Sequence, residues 1–150
     1  MVRSRESFAA AIKKNRESHG LSQEELAQLA EMDRTGISRL ERLAPNITLD
    51  SADALAQALG MSLLTLLGIP SLQKDSEPSK SIFAVRLREA RLDAGLNQRE
   101  LAERAHVDRN FVSTAESGKM NIRFETVDRF ALALNVKATS LLSKTPIGKS

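Results

Sequence analysis

The side chains best suited to catalysis or to metal binding are few and isolated in this sequence. It contains two histidines, His19 and His106, and no cysteine. Neither histidine has a second histidine or a suitably spaced carboxylate cluster beside it, so no metal-ligand spacing and no nucleophile–base pair is present. The sequence also lacks a phosphate-binding glycine loop. These observations predict that the protein is not an enzyme, and we expect no cofactor.

The polar residues that recur do so because the chain contains an internal duplication. Residues 8–68 align with residues 83–143 without a gap at an offset of 75, and about 22 of the 61 aligned positions are identical. The identical pairs include Gly20/Gly95, Gln23/Gln98, Glu25/Glu100, Ala27/Ala102, Asp33/Asp108, Arg34/Arg109, Ser38/Ser113 and Glu41/Glu116. Two repeats of this size predict two small domains rather than one.

Both repeats have the apolar periodicity of amphipathic helices. In the first repeat the apolar positions are Phe8, Ile12, Leu26, Ala30, Ile37, Leu40, Leu55, Leu59 and Leu66, and each has an apolar counterpart 75 residues later. No segment alternates apolar and polar residues as a strand would. We therefore predict an all-α fold of two tandem five-helix domains, at residues 1–69 and 83–143. A linker with two prolines at 70–82 and a tail at 144–150 complete the chain.

Polar residues mark the predicted starts of helices. Ser22 with Glu25 has the spacing of a capping box, and Asn97 takes the same place in the second repeat. Asp33 and Asp108 precede the next helix in each repeat, and we expect their carboxylates to accept hydrogen bonds from its first amides.

Two segments that contain these residues resemble a known motif. SQEELAQLAEMDRTGISRLE (22–41) and NQRELAERAHVDRNFVSTAE (97–116) are similar to the helix-turn-helix of the phage-repressor and Cro-like, or XRE, family. The resemblance extends over about 120 of the 150 residues. It implies lambda-repressor-like domains, binding to specific double-stranded DNA sequences, and a role as a transcriptional regulator, with repression as the first expectation.

The resemblance also implies which residues contact DNA. In the family, the second helix of the motif enters the major groove and reads base edges with its N-terminal part. The matching base-reading positions are Arg34, Thr35, Ser38 and Arg39 in the first repeat, and Arg109, Asn110, Ser113 and Thr114 in the second. An arginine can bind guanine and an asparagine can bind adenine, each contributing about 1–3 kcal/mol of discrimination.

Further positions are implied to contact phosphates or to support the motif. The expected phosphate contacts are Ser22, Gln23, Asn97, Gln98, Lys119, Asn121 and Arg123. Two structural ion pairs are implied, Arg16 with Glu41 and Arg91 with Glu116. We expect each pair to be partly buried, so that losing one partner would cost a few kcal/mol.

The sequence departs from the family pattern at two places. The segment Glu41-Arg42-Leu43-Ala44-Pro45 stands where the second repeat has the family-like Glu116-Ser117-Gly118-Lys119. Both repeats also replace the glycine of the turn, with Glu31 and with His106. If this turn position is left-handed, each replacement costs about 1 kcal/mol.

Charge distinguishes the two halves of the chain. Residues 1–70 contain eight Lys and Arg against nine Asp and Glu, a net charge of −1, whereas residues 71–150 contain fourteen against ten, a net charge of +4. Because DNA affinity depends on neutralising phosphates, the second repeat is the better candidate for the main DNA-binding surface. The first repeat is a further candidate for DNA, or for a protein partner or another copy of the chain.

Assembly and location follow from the same sequence. The linker is long enough for two domains to reach sites about 34 Å apart, which predicts a pseudo-dimer within one chain or a homodimer. The first residues lack a signal segment and no run of about 18 apolar residues is present, so we expect a cytoplasmic bacterial or phage protein without a membrane partner. Since only eight residues follow Leu142, regulation is expected from concentration, oligomerisation or a partner.

Two alternatives stay open on the sequence alone. The first keeps the DNA binding but makes the protein an antitoxin or a restriction-modification controller. The second is a protein-interaction module with a degenerate first repeat, motivated by the Leu43-Ala44-Pro45 stretch and by the negative charge of the first half. The second alternative predicts weak DNA affinity with little dependence on salt.

Overall fold

A computed structural model describes residues 3–70 and 77–144, which form nine α-helices and one 3₁₀ helix. The first repeat contains α1 (Ser4–Ser18), α2 (Gln23–Leu29), α3 (Arg34–Leu43), α4 (Leu49–Ala58) and α5 (Leu63–Leu66). The second contains α6 (Ser79–Asp93), α7 (Gln98–Ala105), α8 (Arg109–Glu116), α9 (Phe124–Leu134) and the 3₁₀ helix (Ala138–Leu141). No strand occurs in these two ranges, and the predicted all-α architecture of two tandem repeats is confirmed.

The boundary between the repeats differs from the predicted one. Helix α6 begins at Ser79, so residues 79–82 of the predicted linker are helical. The backbone N–H and the hydroxyl of Ser79 both donate to the Asp53 carboxylate, at 2.9 and 2.6 Å, and Ile82 is buried. These contacts extend the helix beyond the aligned segment. Residues 71–76 of the linker and 145–150 of the tail lie outside the described residues.

Buried apolar residues pack α2 against α3, and the equivalent residues pack α7 against α8. Ala27 of α2 and Ile37 of α3 are both buried, as are Ala102 of α7 and Val112 of α8. An alanine at the crossing lets the two backbones approach closely, and a larger side chain would have to displace its neighbours. This packing sets the orientation of α3 and α8.

The helix starts agree only partly with the predictions. Ser22 Oγ accepts from Glu25 N at 3.0 Å, and Asn97 Oδ1 accepts from Glu100 N at 2.8 Å, so both α2 and α7 begin with a complete capping box. Asp33 and Asp108 occupy the N-cap positions of α3 and α8, but neither carboxylate accepts a capping hydrogen bond. That expectation was wrong, because both side chains are directed to solvent instead.

The turn between the motif helices contains a left-handed residue in both repeats. Glu31 and His106 each have a φ of 56°, the conformation that the family's glycine adopts without strain. The end of α3 shows a related substitution, because Ala44 terminates it with a φ of 44°. In the second repeat, Gly118 is left-handed one position earlier and α8 ends at Glu116, so α3 has ten residues and α8 has eight.

Replacing His106 by glycine is therefore expected to stabilise the protein by about 1 kcal/mol, because the substitution removes the left-handed strain of a residue with a Cβ. Chemical denaturation of the variant and the wild type measures the difference. His106→Ala is the control, since it removes the imidazole and keeps the Cβ. An equal gain from both substitutions would assign the effect to the imidazole and contradict the backbone explanation.

The two repeats are joined at their centre by a short antiparallel contact. Thr48 and Arg123, which are 75 positions apart, form an isolated β-bridge. Leu49 N donates to Ile122 O at 2.7 Å, and Phe124 N donates to Ile47 O at 3.1 Å. These two hydrogen bonds are equivalent, because Leu49 aligns with Phe124 and Ile47 aligns with Ile122 at the offset of 75.

Hydrogen bonds of side chains between the repeats also occur in pairs whose residues are related by the offset of 75. Asn46 Oδ1 accepts from Glu125 N at 2.9 Å, and its counterpart Asn121 Oδ1 accepts from Asp50 N at 3.4 Å. The Ser4 backbone N–H and hydroxyl bind the Asp128 carboxylate at 3.1 and 2.5 Å, as the equivalent groups of Ser79 bind Asp53. Such reciprocal pairs are the signature of two-fold symmetry. The repeats are thus related by an approximate two-fold axis beside Thr48 and Arg123.

Apolar packing continues across this inter-repeat interface. The rings of Phe8 in α1 and Phe124 in α9 lie 5.2 Å apart between centroids, and both are completely buried. The buried residues of the two repeats form one continuous cluster. Because aromatic side chains contribute a large share of buried apolar area, this contact adds to the packing between the two repeats.

Candidate nucleic-acid interface

The residues predicted to read bases lie on the solvent-exposed faces of α3 and α8. Arg109, Asn110, Ser113 and Thr114 are all exposed on α8. On α3, Arg34, Thr35 and Arg39 are exposed and Ser38 is half-buried. Between these positions Ile37, Leu40, Val112 and Ala115 face the core. The structure therefore brings the polar residues of each set together on one helix face.

The arginines that begin the two helices have no partner within residues 3–70 and 77–144. Arg34 and Arg109 are the first helical residues of α3 and α8, and their exposed guanidinium groups make no hydrogen bond or ion pair in that part of the chain. A guanidinium has five donors in a planar arrangement that matches a carboxylate, a phosphate or the O6/N7 edge of guanine. Both helices thus present an unoccupied donor group at their N-terminus.

Thr114 is placed differently from the other residues of its set. Its hydroxyl donates to the Asn110 carbonyl at 2.8 Å, a hydrogen bond within the helix. The hydroxyl proton is therefore already used, and the methyl group and oxygen lone pairs remain for an external contact. Asn110 keeps its side-chain amide free for an external donor and acceptor, because only its backbone carbonyl takes part in this bond.

Beneath each exposed face lies a buried ion pair. Arg16 Nε donates to Glu41 Oε2 at 2.7 Å, and Arg91 Nε donates to Glu116 Oε2 at 2.7 Å. The second guanidinium nitrogen completes a two-point contact at 2.8 Å in the first repeat and 3.0 Å in the second. The structure brings together the residues of both implied pairs, which join α1 to α3 and α6 to α8.

A third hydrogen bond anchors each arginine. Arg16 Nη1 donates to Leu21 O at 2.8 Å, and Arg91 Nη1 donates to Leu96 O at 3.0 Å. Hydrogen bonding to its glutamate raises the pKa of each guanidinium, against the opposing effect of burial. Burial raises the pKa of Glu41, but hydrogen bonds from Arg16 and Gln23 and the charge of Arg16 outweigh it and lower the value overall. Glu41 is thus held ionised by its partners.

The glutamines that begin α2 and α7 are attached to these ion pairs. Gln23 Nε2 lies 3.4 Å from Glu41 Oε1, and Gln98 Nε2 lies 3.4 Å from Glu116 Oε1. Both side chains are half-buried, with one amide edge directed at the glutamate. The neighbouring Ser22 and Asn97 are exposed but use a side-chain oxygen for capping. Ser22 and Gln23 thus lie at the N-terminus of α2, and Asn97 and Gln98 lie at the N-terminus of α7.

The remaining predicted phosphate contacts follow α8, and two of them take part in the inter-repeat interface. Lys119 is exposed with its ammonium group unpaired in the described part of the chain. Asn121 Oδ1 accepts from Asp50 N, and Arg123 Nη1 donates to Asn46 O at 2.7 Å. Asn121 and Arg123 therefore have a structural role in joining the repeats in addition to the phosphate contact expected for them.

Two residues of this region were absent from the predicted set. Asn46 is the counterpart of Asn121 and forms the equivalent interface contact, so the offset of 75 was a signal that could have identified it. Arg42 is exposed in the last turn of α3 and supplies a positive charge near the place where the second repeat has Lys119. Its counterpart is Ser117, so comparing the repeats gave no such signal.

The two isolated histidines lie at the ends of helices. His19 Nδ1 lies 2.6 Å from the Asn15 carbonyl oxygen at the end of α1, and His106 caps the end of α7. In the part of the chain that the structure covers, no three His, Asp or Glu side chains are grouped closely enough to bind a metal ion. Nor does any helix there have the length and apolar character needed to span a membrane.

Comparison with known proteins identifies the family. The model of the helix-turn-helix family matches the chain twice, at residues 12–66 and 87–141, which together cover more than half of it. The chain belongs to this helix-turn-helix family. Helices α2–α3 and α7–α8 are accordingly its two helix-turn-helix motifs.

A sequence and a crystal structure from Neisseria are each similar to about half of this helix-turn-helix chain. A hypothetical transcription factor of Neisseria meningitidis serogroup B is 33% identical over 76 residues, covering 51% of this chain and 72% of that protein. The crystal structure of the hypothetical transcription factor NHTF from Neisseria is 32% identical, with a TM-score of 0.44, and covers 51% of this chain and 86% of that one. The helix-turn-helix family and the transcription-factor relative support a DNA-binding transcriptional regulator, a class of protein that is typically not an enzyme.

Proposed function

We propose that the protein is a transcriptional regulator that binds specific sequences of double-stranded DNA through α3 and α8. The main support is the pair of exposed guanidinium groups of Arg34 and Arg109, which begin equivalent helices and have no partner in the described residues. An unpaired arginine at the start of such a helix is suited to guanine in the major groove. The partner is duplex DNA.

The surrounding residues support the same proposal through the DNA backbone. Gln23 and Gln98 lie at the N-termini of the preceding helices, where backbone amides favour a phosphate. Lys119 supplies a further unpaired positive charge after α8. Phosphate contacts set the register of the protein on the duplex, whereas the residues of α3 and α8 choose the sequence.

The regulator is proposed to act as a repressor in the cytoplasm of a bacterium or of a phage-infected cell. A protein that occupies a duplex site excludes other proteins from it, and polymerase is excluded when that site overlaps a promoter. In vitro transcription from a template carrying the selected site, with and without protein, tests this role. Increased transcript in the presence of protein would replace repression by activation and leave the DNA binding intact.

Selection of bound duplexes from a random DNA pool tests the DNA binding itself. We expect a recurrent sequence motif, with an affinity that falls roughly a thousandfold between 50 and 200 mM salt if about six phosphates are contacted. A scrambled duplex of the same length is the control for binding that does not depend on sequence. Recovery of no motif, together with weak salt dependence, would contradict the proposal and favour a protein-interaction module.

A further inference from the structure

We propose that a single chain reads one operator made of two inverted but unequal half-sites. This inference rests on the proposed DNA binding and adds the stoichiometry, the symmetry and the asymmetry of the site. It differs from recognition by a homodimer, in which two identical chains read two identical half-sites.

The reciprocal contacts between the repeats provide the symmetry. The bridge between Thr48 and Arg123 joins two equivalent positions, and the hydrogen bonds on either side of it are exchanged by the offset of 75. The same operation relates α3 to α8, because these helices occupy equivalent positions in the two repeats. One chain therefore carries the pair of recognition helices that a two-fold dimer would assemble from two chains.

The symmetry of the protein determines the orientation of the half-sites. The antiparallel strands of a duplex give it local two-fold axes, and two-fold-related recognition helices match half-sites that are inverted with respect to each other. Two domains in a head-to-tail arrangement would instead read a direct repeat. The half-site centres are expected to lie about one helical turn apart, roughly 10 base pairs.

The base-reading residues are only partly equivalent between the repeats. Arg34 matches Arg109 and Ser38 matches Ser113, so both half-sites are expected to share the base pair contacted by the leading arginine. Thr35 has Asn110 as its counterpart, and Arg39 has Thr114. All four of these differing side chains are exposed.

These differences predict how the half-sites diverge. The free amide of Asn110 can bind adenine through its N6 and N7 atoms, whereas Thr35 offers only a hydroxyl and a methyl group. Arg39 provides a second guanidinium that can bind guanine, whereas the hydroxyl of Thr114 already donates to the Asn110 carbonyl. We therefore expect an additional G·C pair in the half-site of the first repeat and an A·T pair in that of the second.

Exchanging the differing residues tests the assignment. The double variant Thr35→Asn/Arg39→Thr gives the first repeat the four base-reading residues of the second, and it is expected to select a symmetric inverted repeat of the second half-site. The reverse variant Asn110→Thr/Thr114→Arg is expected to select a symmetric inverted repeat of the first half-site. Because each well-placed contact changes affinity about 5- to 150-fold, the shift should be clear in sequenced pools. Circular dichroism checks that both variants remain folded.

Sedimentation of the wild-type protein with its selected duplex measures the stoichiometry. One chain per duplex with an asymmetric inverted motif supports the inference, and so does conversion of the motif by both exchange variants. A direct repeat, a single half-site, two chains on one inverted repeat, or a motif unchanged by both exchanges would overturn it while leaving the proposed DNA binding intact. Selection of no motif by the wild type would instead remove the proposed function, and the inference with it.

Discussion

Replacing Arg91 by alanine is expected to reduce the free energy of unfolding by about 3–5 kcal/mol. The Arg91 and Glu116 side chains are only 9% and 6% exposed, and two short hydrogen bonds join them. Removal of the guanidinium leaves the Glu116 carboxylate buried without its counter-charge, and the Leu96 carbonyl loses a donor. Urea-induced unfolding of the variant and the wild type measures the loss.

Two further variants separate this effect from a general loss of positive charge. Arg99 is 79% exposed and lies 3.6 Å from Glu103, so Arg99→Ala is expected to cost no more than about 0.5 kcal/mol. The double variant Arg91→Ala/Glu116→Ala removes both charges and should be more stable than Arg91→Ala alone. A loss from Arg91→Ala as small as that from Arg99→Ala would contradict the role of the pair as a buried support of α8.

The double variant Arg34→Ala/Arg109→Ala is expected to lose about 2–6 kcal/mol of binding free energy for the selected duplex, the sum of two well-placed guanine contacts. Its stability should stay close to that of the wild type, since both side chains are exposed and unpaired in the described residues. Fluorescence anisotropy titrations with the selected and the scrambled duplex, at one salt concentration, measure the specific part of the loss.

The two single variants compare the repeats. The charges of +4 and −1 in the two halves favour the second repeat, so Arg109→Ala is expected to weaken specific binding more than Arg34→Ala. Equal losses would contradict an unequal contribution. Lys137, which is exposed and precedes the 3₁₀ helix outside α3 and α8, provides Lys137→Ala as a charge control.

Much of the fold was predictable because each sequence pattern occurs in both repeats. Helical periodicity gave the all-α class, and the equivalence of Ser22 and Asn97 at one position gave the capping boxes. The family resemblance implied that Arg16 and Arg91 each form an ion pair with a glutamate, and the structure gives the distances of both pairs. These features were predictable because the residues that form each of them lie within a single repeat.

The relation between the repeats was not predictable from the same patterns. The hydrogen bonds of Asn46 and Asn121 with the opposite repeat depend on how two complete domains pack, and nothing in the local sequence specifies that orientation. Helix α6 begins before the aligned segment because Ser79 binds Asp53, a residue of the other repeat. The predicted carboxylate caps of Asp33 and Asp108 failed for a different reason, since a preferred N-cap residue is free to turn its side chain to solvent.

The joining of two equivalent repeats in one polypeptide has an evolutionary consequence. In a homodimer, a mutation in the recognition helix appears in both subunits at once and changes both halves of the target together. Here α3 and α8 are encoded by separate parts of one gene and can differ in sequence. The equivalent positions Thr35 and Asn110 already do so. If α3 and α8 read DNA as proposed, each helix can acquire a new preference while the other retains the old one, and the two halves of the target can then change one at a time.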